Sequence, residues 1–267
     1  MSPILDPSRG LLSLEGEESR KFLQGMVSAD VYTVNTKQAV YTAHLSPQGK
    51  FLDDFFIFQP FISQPNCLWL DIESERIAPL IKRLRLYKLR ANCEINSIQG
   101  YTCVLDLEGQ ISTNIGFNDP RHKGMGRRLW FQKPEEAFND DMGPYEQKRI
   151  KFGLPKAGQD IIRERDTLLD RGMDAAGAIS WNKGCYMGQE VTARMKYRAL
   201  LKRRLSIIKT GSTKTAVGDP LFIGEMKVGR ITSLALPYGL AILDNIALDN
   251  TSLLTASGNS IKILCTP

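Results

Sequence analysis

Ala39-Val40-Tyr41-Thr42-Ala43-His44-Leu45, Ser46-Pro47-Gln48-Gly49 and Lys50-Phe51-Leu52-Asp53-Asp54-Phe55-Phe56-Ile57-Phe58 follow one another without interruption, and their reading decides the fold. Two runs rich in β-branched and aromatic residues flank a short breaker. Proline presets one backbone angle of a turn and glycine accepts the positive one, so the stretch predicts a β-hairpin with strands at 39–45 and 51–58. Upstream, Leu11-Leu12-Ser13-Leu14 reads as a short strand, and residues 17–24 as a helix that turns Phe22 and Leu23 inward before Gly25 ends it. Downstream, residues 67–72 read as a strand. Ile77, Leu80, Ile81 and Leu84 then recur at helical spacing, with Pro79 confined to the first turn. Strands at 91–95 and 101–107 complete a β-α-β-β order of the ferredoxin-like α+β kind, a unit expected to end near Gly116.

From Phe131 the pattern is mixed. Residues 145–152 read as a helix that Gly153 and Pro155 stop, and a loop-rich stretch follows. After the basic run Lys196-Tyr197-Arg198-Ala199-Leu200-Leu201-Lys202-Arg203-Arg204, short strands at 205–209, 221–223, 227–234, 240–243 and 261–264 alternate with glycine turns. A small β-barrel closes such a set without open edges. No repeat of fixed period and no low-complexity tract interrupts this order.

At 267 residues the chain has room for about two compact units, or three small ones. With 42% hydrophobic and 24% charged residues, the class is globular and wholesale disorder is excluded. Thirty-five basic against 29 acidic residues give a net charge of +6, which favours anionic partners. No apolar run reaches the roughly 18 residues of a membrane helix, so no membrane partner is expected. The opening Met1-Ser2-Pro3-Ile4-Leu5-Asp6 lacks the pattern of an export signal, and no arginine-rich import segment stands out. The expected location is bacterial cytoplasm, or the mitochondrial matrix if the chain is eukaryotic. Cys67, Cys93, Cys103, Cys185 and Cys265 are odd in number and never form Cys-x-x-Cys, which argues against a disulfide framework or zinc ribbon. His44 and His122 have no companion at metal-ligand spacing, so both read as ordinary histidines and no stably bound metal is expected.

The chemistry concentrates in Lys183-Gly184-Cys185-Tyr186-Met187-Gly188-Gln189-Glu190. Gly184 and Gly188 bracket Cys185 and let backbone approach a ligand, while Lys183, Arg194 and Lys196 put positive charge nearby, which favours thiolate over thiol. The same residues also suit a structural turn around a small core cysteine. Local composition leaves both readings open.

Several ordered blocks resemble the YgfZ family, folate-binding relatives of the glycine-cleavage T-protein that serve iron–sulfur proteins. Phe22-Leu23-Gln24-Gly25-Met26-Val27-Ser28-Ala29-Asp30-Val31 is similar to the family's amino-terminal block, and Leu45-Ser46-Pro47-Gln48-Gly49-Lys50-Phe51-Leu52-Asp53-Asp54-Phe55 to its second. Tyr87-Lys88-Leu89-Arg90-Ala91, Asp119-Pro120-Arg121 with Gly126-Arg127-Arg128, and Arg149-Ile150-Lys151-Phe152-Gly153-Leu154-Pro155 follow, and then the eight-residue cysteine motif. The likeness covers nearly the whole chain. It implies an α+β, T-protein-like ring of two antiparallel α/β domains and a C-terminal β-barrel. The expected division is residues 1–46 with 118–199, residues 47–117, and residues 200–267. It further implies tetrahydrofolate or a related reduced folate as ligand, with Lys183, Gly184, Tyr186, Gly188, Gln189 and Glu190 at its pocket and Gln24, Asp30 and Arg121 in the wall. Cys185 takes the catalytic position. Beside these roles stand plainer ones: Glu190 and Arg194 are spaced as a helical surface pair, and Asp30 suits a turn cap.

The resemblance has departures. The T-protein's catalytic acid belongs at the start of the helix after its third strand, where this chain has Ile77-Ala78-Pro79, with Glu73 and Glu75 a few residues away. Residues 166–178 also follow the family less closely. A four-iron cluster normally takes four thiolates and the motif offers one, so the expected role is transient, with iron–sulfur client or assembly proteins as partners. Thiol or sulfur exchange at Cys185 and one-carbon acceptance by folate are both open. Two other classes compete: a folate-dependent aminomethyltransferase or other one-carbon transferase, and a nucleic-acid-binding module built on residues 196–204, which lacks any recognisable RNA-binding motif.

Overall fold

In the computed structural model, which describes residues 2–112, 115–132, 138–198, 201–249, 252–255 and 258–266, the first strands are β1 (Ile4–Asp6) and β2 (Arg9–Glu15). Leu11, Leu12, Ser13 and Leu14 of β2 are each at most 2% exposed, so this strand must be covered on both faces. It takes an interior place in a five-stranded antiparallel sheet whose order is β3-β4-β5-β2-β6. Helix α1 (Ser19–Gln24) precedes β3 (Val40–Leu45) and β4 (Phe51–Phe58), the hairpin expected from the sequence, with Gly49 at φ +72° in its turn. Next come β5 (Cys67–Glu73), α2 (Ile77–Lys88), β6 (Glu94–Ile98) and β7 (Tyr101–Asp106). On one face of the sheet Leu23 of α1 and Leu80 and Leu84 of α2 join Leu12, Leu14, Phe55, Ile57, Leu68 and Leu70 in a single core. Each of those large side chains contributes about 1.5–3 kcal/mol on burial.

Strand β7 departs from expectation. Instead of closing a ferredoxin-like layer it joins a second sheet, β1-β7-β9-β8, with β8 (Gly116–Asn118) and β9 (Arg127–Gln132). Its residues Cys103 to Asp106 are all buried, a load the edge of the first sheet would leave half open. An aromatic layer joins the sheets: Phe56 and Phe58 of β4 pack on Phe117 of β8 at ring separations of 5.4 and 4.8 Å, and Trp69 of β5 meets Tyr101 of β7 at 5.1 Å. Through this layer Arg128 of β9 reaches Asp71 of β5 (2.8 Å), which also accepts from Arg9 of β2 (2.6 Å).

Helix α3 (Gly143–Lys151) and helix α4 (Gln189–Tyr197) precede β10 (Arg203–Lys209), β11 (Pro220–Ile223), β12 (Met226–Ala235), β13 (Tyr238–Asp244), β14 (Ser252–Thr255) and β15 (Ser260–Cys265). These strands close the expected barrel in the order β10-β13-β12-β11-β14-β15. Alternation sorts the strand residues: Ala241 and Leu243 face an interior shared with Ile208, Leu221, Val228, Ile231, Leu253 and Ile261, while Leu240 and Ile242 face outward onto Ile150 of α3. Arg149 ties that helix down, donating to Leu154 O (2.7 Å), Asp160 Oδ2 (2.9 Å) and Ser233 Oγ (2.9 Å).

Packing groups the chain into two units that differ from the three expected domains. The first comprises Met1–Leu45, Leu52–Tyr145 and Gly177–Met187, and the second Ser46–Phe51, Glu146–Ala176 and Gly188–Pro267. The aromatic layer and the Arg128–Asp71 pair account for the merger, because they make the sheets containing 47–117 and 118–132 one core. Residues 146–176 pack on the barrel, as Ile150 and Arg149 illustrate. Strands β1, β8, β9 and β14 were not anticipated, and β6 begins three residues later than the 91–95 reading.

Candidate functional site

Residues 177–187 are stitched to residues 24–30, about a hundred and fifty positions away in sequence. Ser28 Oγ donates to Ala178 O (2.6 Å), Ser180 N to Ser28 O (2.9 Å) and Met187 N to Gly25 O (3.0 Å). At the centre Lys183 Nζ donates to three backbone carbonyls, those of Gln24, Val27 and Ala29, each at 2.7 Å. An ammonium has three N–H groups and no acceptor, so this set saturates it. Burial pushes the Lys183 amine down to about 8 while Asp30 pulls it up, which leaves it protonated at neutral pH with all three donors present. The Tyr186 ring lies 5.1 Å from Nζ, and Tyr186 is itself buried.

Cys185 lies between these anchors and is exposed. Cys265 is exposed as well. Cys67, Cys93 and Cys103 are buried, and burial pushes each of those thiols up. The cations invoked beside Cys185 are engaged: Lys183 on the carbonyls, Arg194 with Glu190, and Lys196 over the Tyr197 ring at 5.9 Å.

Gln24 and Asp30 join Lys183 in this cluster. Gln24 Nε2 donates to Asp30 Oδ1 (3.0 Å), and Gln24 Oε1 accepts from Val31 N (2.7 Å). Asp30 caps the 3-10 turn Val31–Thr33 by accepting from Tyr32 N (3.1 Å), as its plainer reading had it. Its Oδ2 has no hydrogen-bond partner among the described residues. Gly184 has open space where a Cβ would stand, so its lack of a side chain answers no crowding from the protein. Gly188, at φ +80°, starts α4 and needs to be glycine for that reason.

Arg121 belongs to a different cluster. It donates to Asp119 through Nε (2.9 Å) and Nη2 (2.6 Å) and to Tyr145 Oη (3.0 Å), and stacks over Phe56 at 4.8 Å. Burial disfavours its charge, but Asp119 outweighs this and holds the guanidinium well above its ordinary value. Gln189 and Glu190 open α4 in the second unit, and Glu190 pairs with Arg194 one turn on, both largely exposed. At the start of α2, Arg76 is bound to Asp53 (2.6 Å) and Glu75 is exposed. Among the described residues no group of three or more His, Cys, Asp and Glu side chains is placed to hold a metal ion. His44 is buried with Nδ1 3.7 Å from Asp53 Oδ2, and His122 Nδ1 accepts from Gly124 N (3.0 Å). Sequence reasoning missed Val27 and Ala29, whose role is carried by backbone oxygen and leaves no mark in residue type.

No known protein-family model matches the chain. It is 29% identical over 213 residues to the mitochondrial iron–sulfur cluster assembly factor IBA57 homologue of Pyricularia oryzae, covering 74% of this chain and 54% of that protein. It is 26% identical over 263 residues to the corresponding protein of Coccidioides immitis, covering 86% and 62%. The chain thus spans less than two thirds of the length of these curated relatives. Among solved structures, the glycine cleavage system aminomethyltransferase T from Bartonella henselae superposes with a TM-score of 0.74 at 14% identity, covering 98% of this chain and 84% of that one. The fold is therefore T-protein-like, as the motif blocks implied. No helix among the described residues is long and apolar enough to cross a membrane.

Proposed function

We propose that this chain is an accessory factor of iron–sulfur protein assembly that binds a reduced folate and offers Cys185 to a client or partner. The observation that carries the reading is an exposed thiol held between two anchored residues: Lys183 on three carbonyls and Met187 on Gly25 O. A thiol presented on a fixed loop loses little entropy when it meets a partner's iron or sulfur. One thiolate does not complete the ligand set of a cluster, so the remaining ligands come from the partner. The similarity to IBA57 homologues, named as mitochondrial iron–sulfur cluster assembly factors, supports the role and a mitochondrial location.

Folate fits this cluster through one group. Lys183 and the Gln24 amide are committed to the protein, whereas Asp30 Oδ2 is open to accept from the amino-pyrimidine edge of a pterin. Bound there, a reduced folate supplies carriage of a one-carbon unit. Asp30 orients it, and Tyr186, with the Lys183 ammonium over its ring, provides a buried apolar neighbour.

The test is Cys185→Ser in cells lacking the corresponding factor. The variant is expected to fold as wild type and to lose rescue of four-iron enzymes, and full rescue would remove the thiol from the mechanism. Tetrahydrofolate titration of wild type against Asp30→Asn is expected to weaken binding about tenfold or more, the size of one charge-assisted hydrogen bond.

A further inference from the structure

The second unit carries a cavity of about 600 Å³ against the outer side of its barrel, within the range of small-molecule sites. Its floor is Asp166, 5% exposed in its side chain, with Arg165 and Arg171. Arg171 donates from Nε (3.0 Å) and Nη2 (3.1 Å) to the two carboxylate oxygens of Asp166, and Arg165 does the same from Nε (2.9 Å) and Nη2 (3.2 Å). Two guanidiniums thus share one carboxylate, which also accepts from Ile162 N (2.8 Å), so one positive charge on this floor has no counterion.

The walls add to the excess. Arg230, beside Ile242 in the β12–β13 pairing, and Lys227 are exposed cations with no carboxylate at ion-pair distance among the described residues. Arg203 completes the rim and is paired with Asp244 (2.6 Å). Five cations therefore surround two carboxylates. Arg171 is nine-tenths buried, so its charge is held in the floor with only the carboxylate it shares with Arg165 to offset it. A desolvated guanidinium whose counterion is shared gains from an added anionic charge nearby.

We propose that this cavity binds a small polyanion: a molecule with at least two neighbouring anionic groups, phosphoryl or carboxylate, and little apolar surface. Arginine forks match both groups in pairs of parallel hydrogen bonds, and five cations against two carboxylates leave more positive charge than one anionic group neutralises. Ile242 is the sole apolar side chain among the lining residues, so charged and polar groups provide the directional contacts. The site is independent of the proposed role of Cys185.

The experiment is calorimetric titration of the whole chain at low salt with inorganic pyrophosphate and, separately, citrate. Saturable one-to-one binding of either supports the site, and the stronger of the two identifies the source of the anion. Lys227→Glu and Arg230→Glu, both on exposed positions and checked by thermal melting, are expected to weaken binding about tenfold each. Lys214→Glu, an equal charge change at an exposed residue that does not line the cavity, is expected to leave it unchanged, as is Cys185→Ser. Absence of saturation with both probes overturns the proposal. So does equal weakening by Lys214→Glu, which reports diffuse attraction to a basic protein, or binding of an oligonucleotide alone.

Discussion

Lys183 and Arg171 are both buried cations in loops that the sequence gives no regular structure, yet they end differently. Every proton of the Lys183 ammonium is matched by a carbonyl, whereas the Arg171 guanidinium shares its counterion with Arg165 and keeps an unmatched nitrogen. The first arrangement is closed and holds a loop in place. The second is open and invites an anion. A count of donors against acceptors separates structural from ligand-seeking charge where burial alone does not.

Lys183→Met is the harshest way to break that comparison. It keeps the stem and leaves three carbonyls without donors, so a loss of about 3–5 kcal/mol is expected in chemical denaturation, together with faster amide exchange across 177–187. A loss below about 1 kcal/mol would mean that the ammonium is not saturated as described.

Asp166→Asn comes next. Burial raises this carboxyl, but hydrogen bonds from Arg165 and Arg171 outweigh that and hold it well below the ordinary 3.8. A depressed carboxyl contributes stability that is full above its unfolded value and disappears as pH falls through the folded one. The wild type is therefore expected to exceed the variant by about 2 kcal/mol at neutral pH, a figure already reduced for the half-exposed Arg165. The difference should shrink as pH falls below 3.8. A difference that persists in acid would show that shape rather than charge matters there.

The smallest effect belongs to Glu190→Ala. Its partner Arg194 is an exposed residue one helical turn away, so stability should change by less than about 0.5 kcal/mol. A larger loss would give Glu190 a structural role beyond the surface pair.

Much of the fold was legible because its signals are local. The Ser46-Pro47-Gln48-Gly49 turn, the spacing of Ile77, Leu80, Ile81 and Leu84, and the short apolar run Leu240 to Leu243 after Gly239 each follow from one stretch of chain. Strand β7 was read correctly as a strand and assigned to the wrong sheet, since its partners β1 and β9 lie almost a hundred residues before it and some twenty after it. The candidate site was legible in part. Its blocks around Gln24 and Lys183 do come together, but the stitching runs through carbonyls that any residue could supply. Two quoted blocks turn out to contain buried hubs: Arg128 bridges the two sheets and Arg149 pins α3 to the barrel. The cavity around Arg171 was not read at all, because its residues are scattered from 165 to 244 and two of them, Asp166 and Arg171, lie where the family pattern fades.

The eleven residues Gly177–Met187 complete a core begun at the amino terminus. During synthesis, then, the first unit stays incomplete until Met187 has left the ribosome. Until that moment Ser28 and the carbonyls of Gln24, Val27 and Ala29 lack these mates, and the nascent intermediate carries an unfinished core where residues 177–187 will later pack.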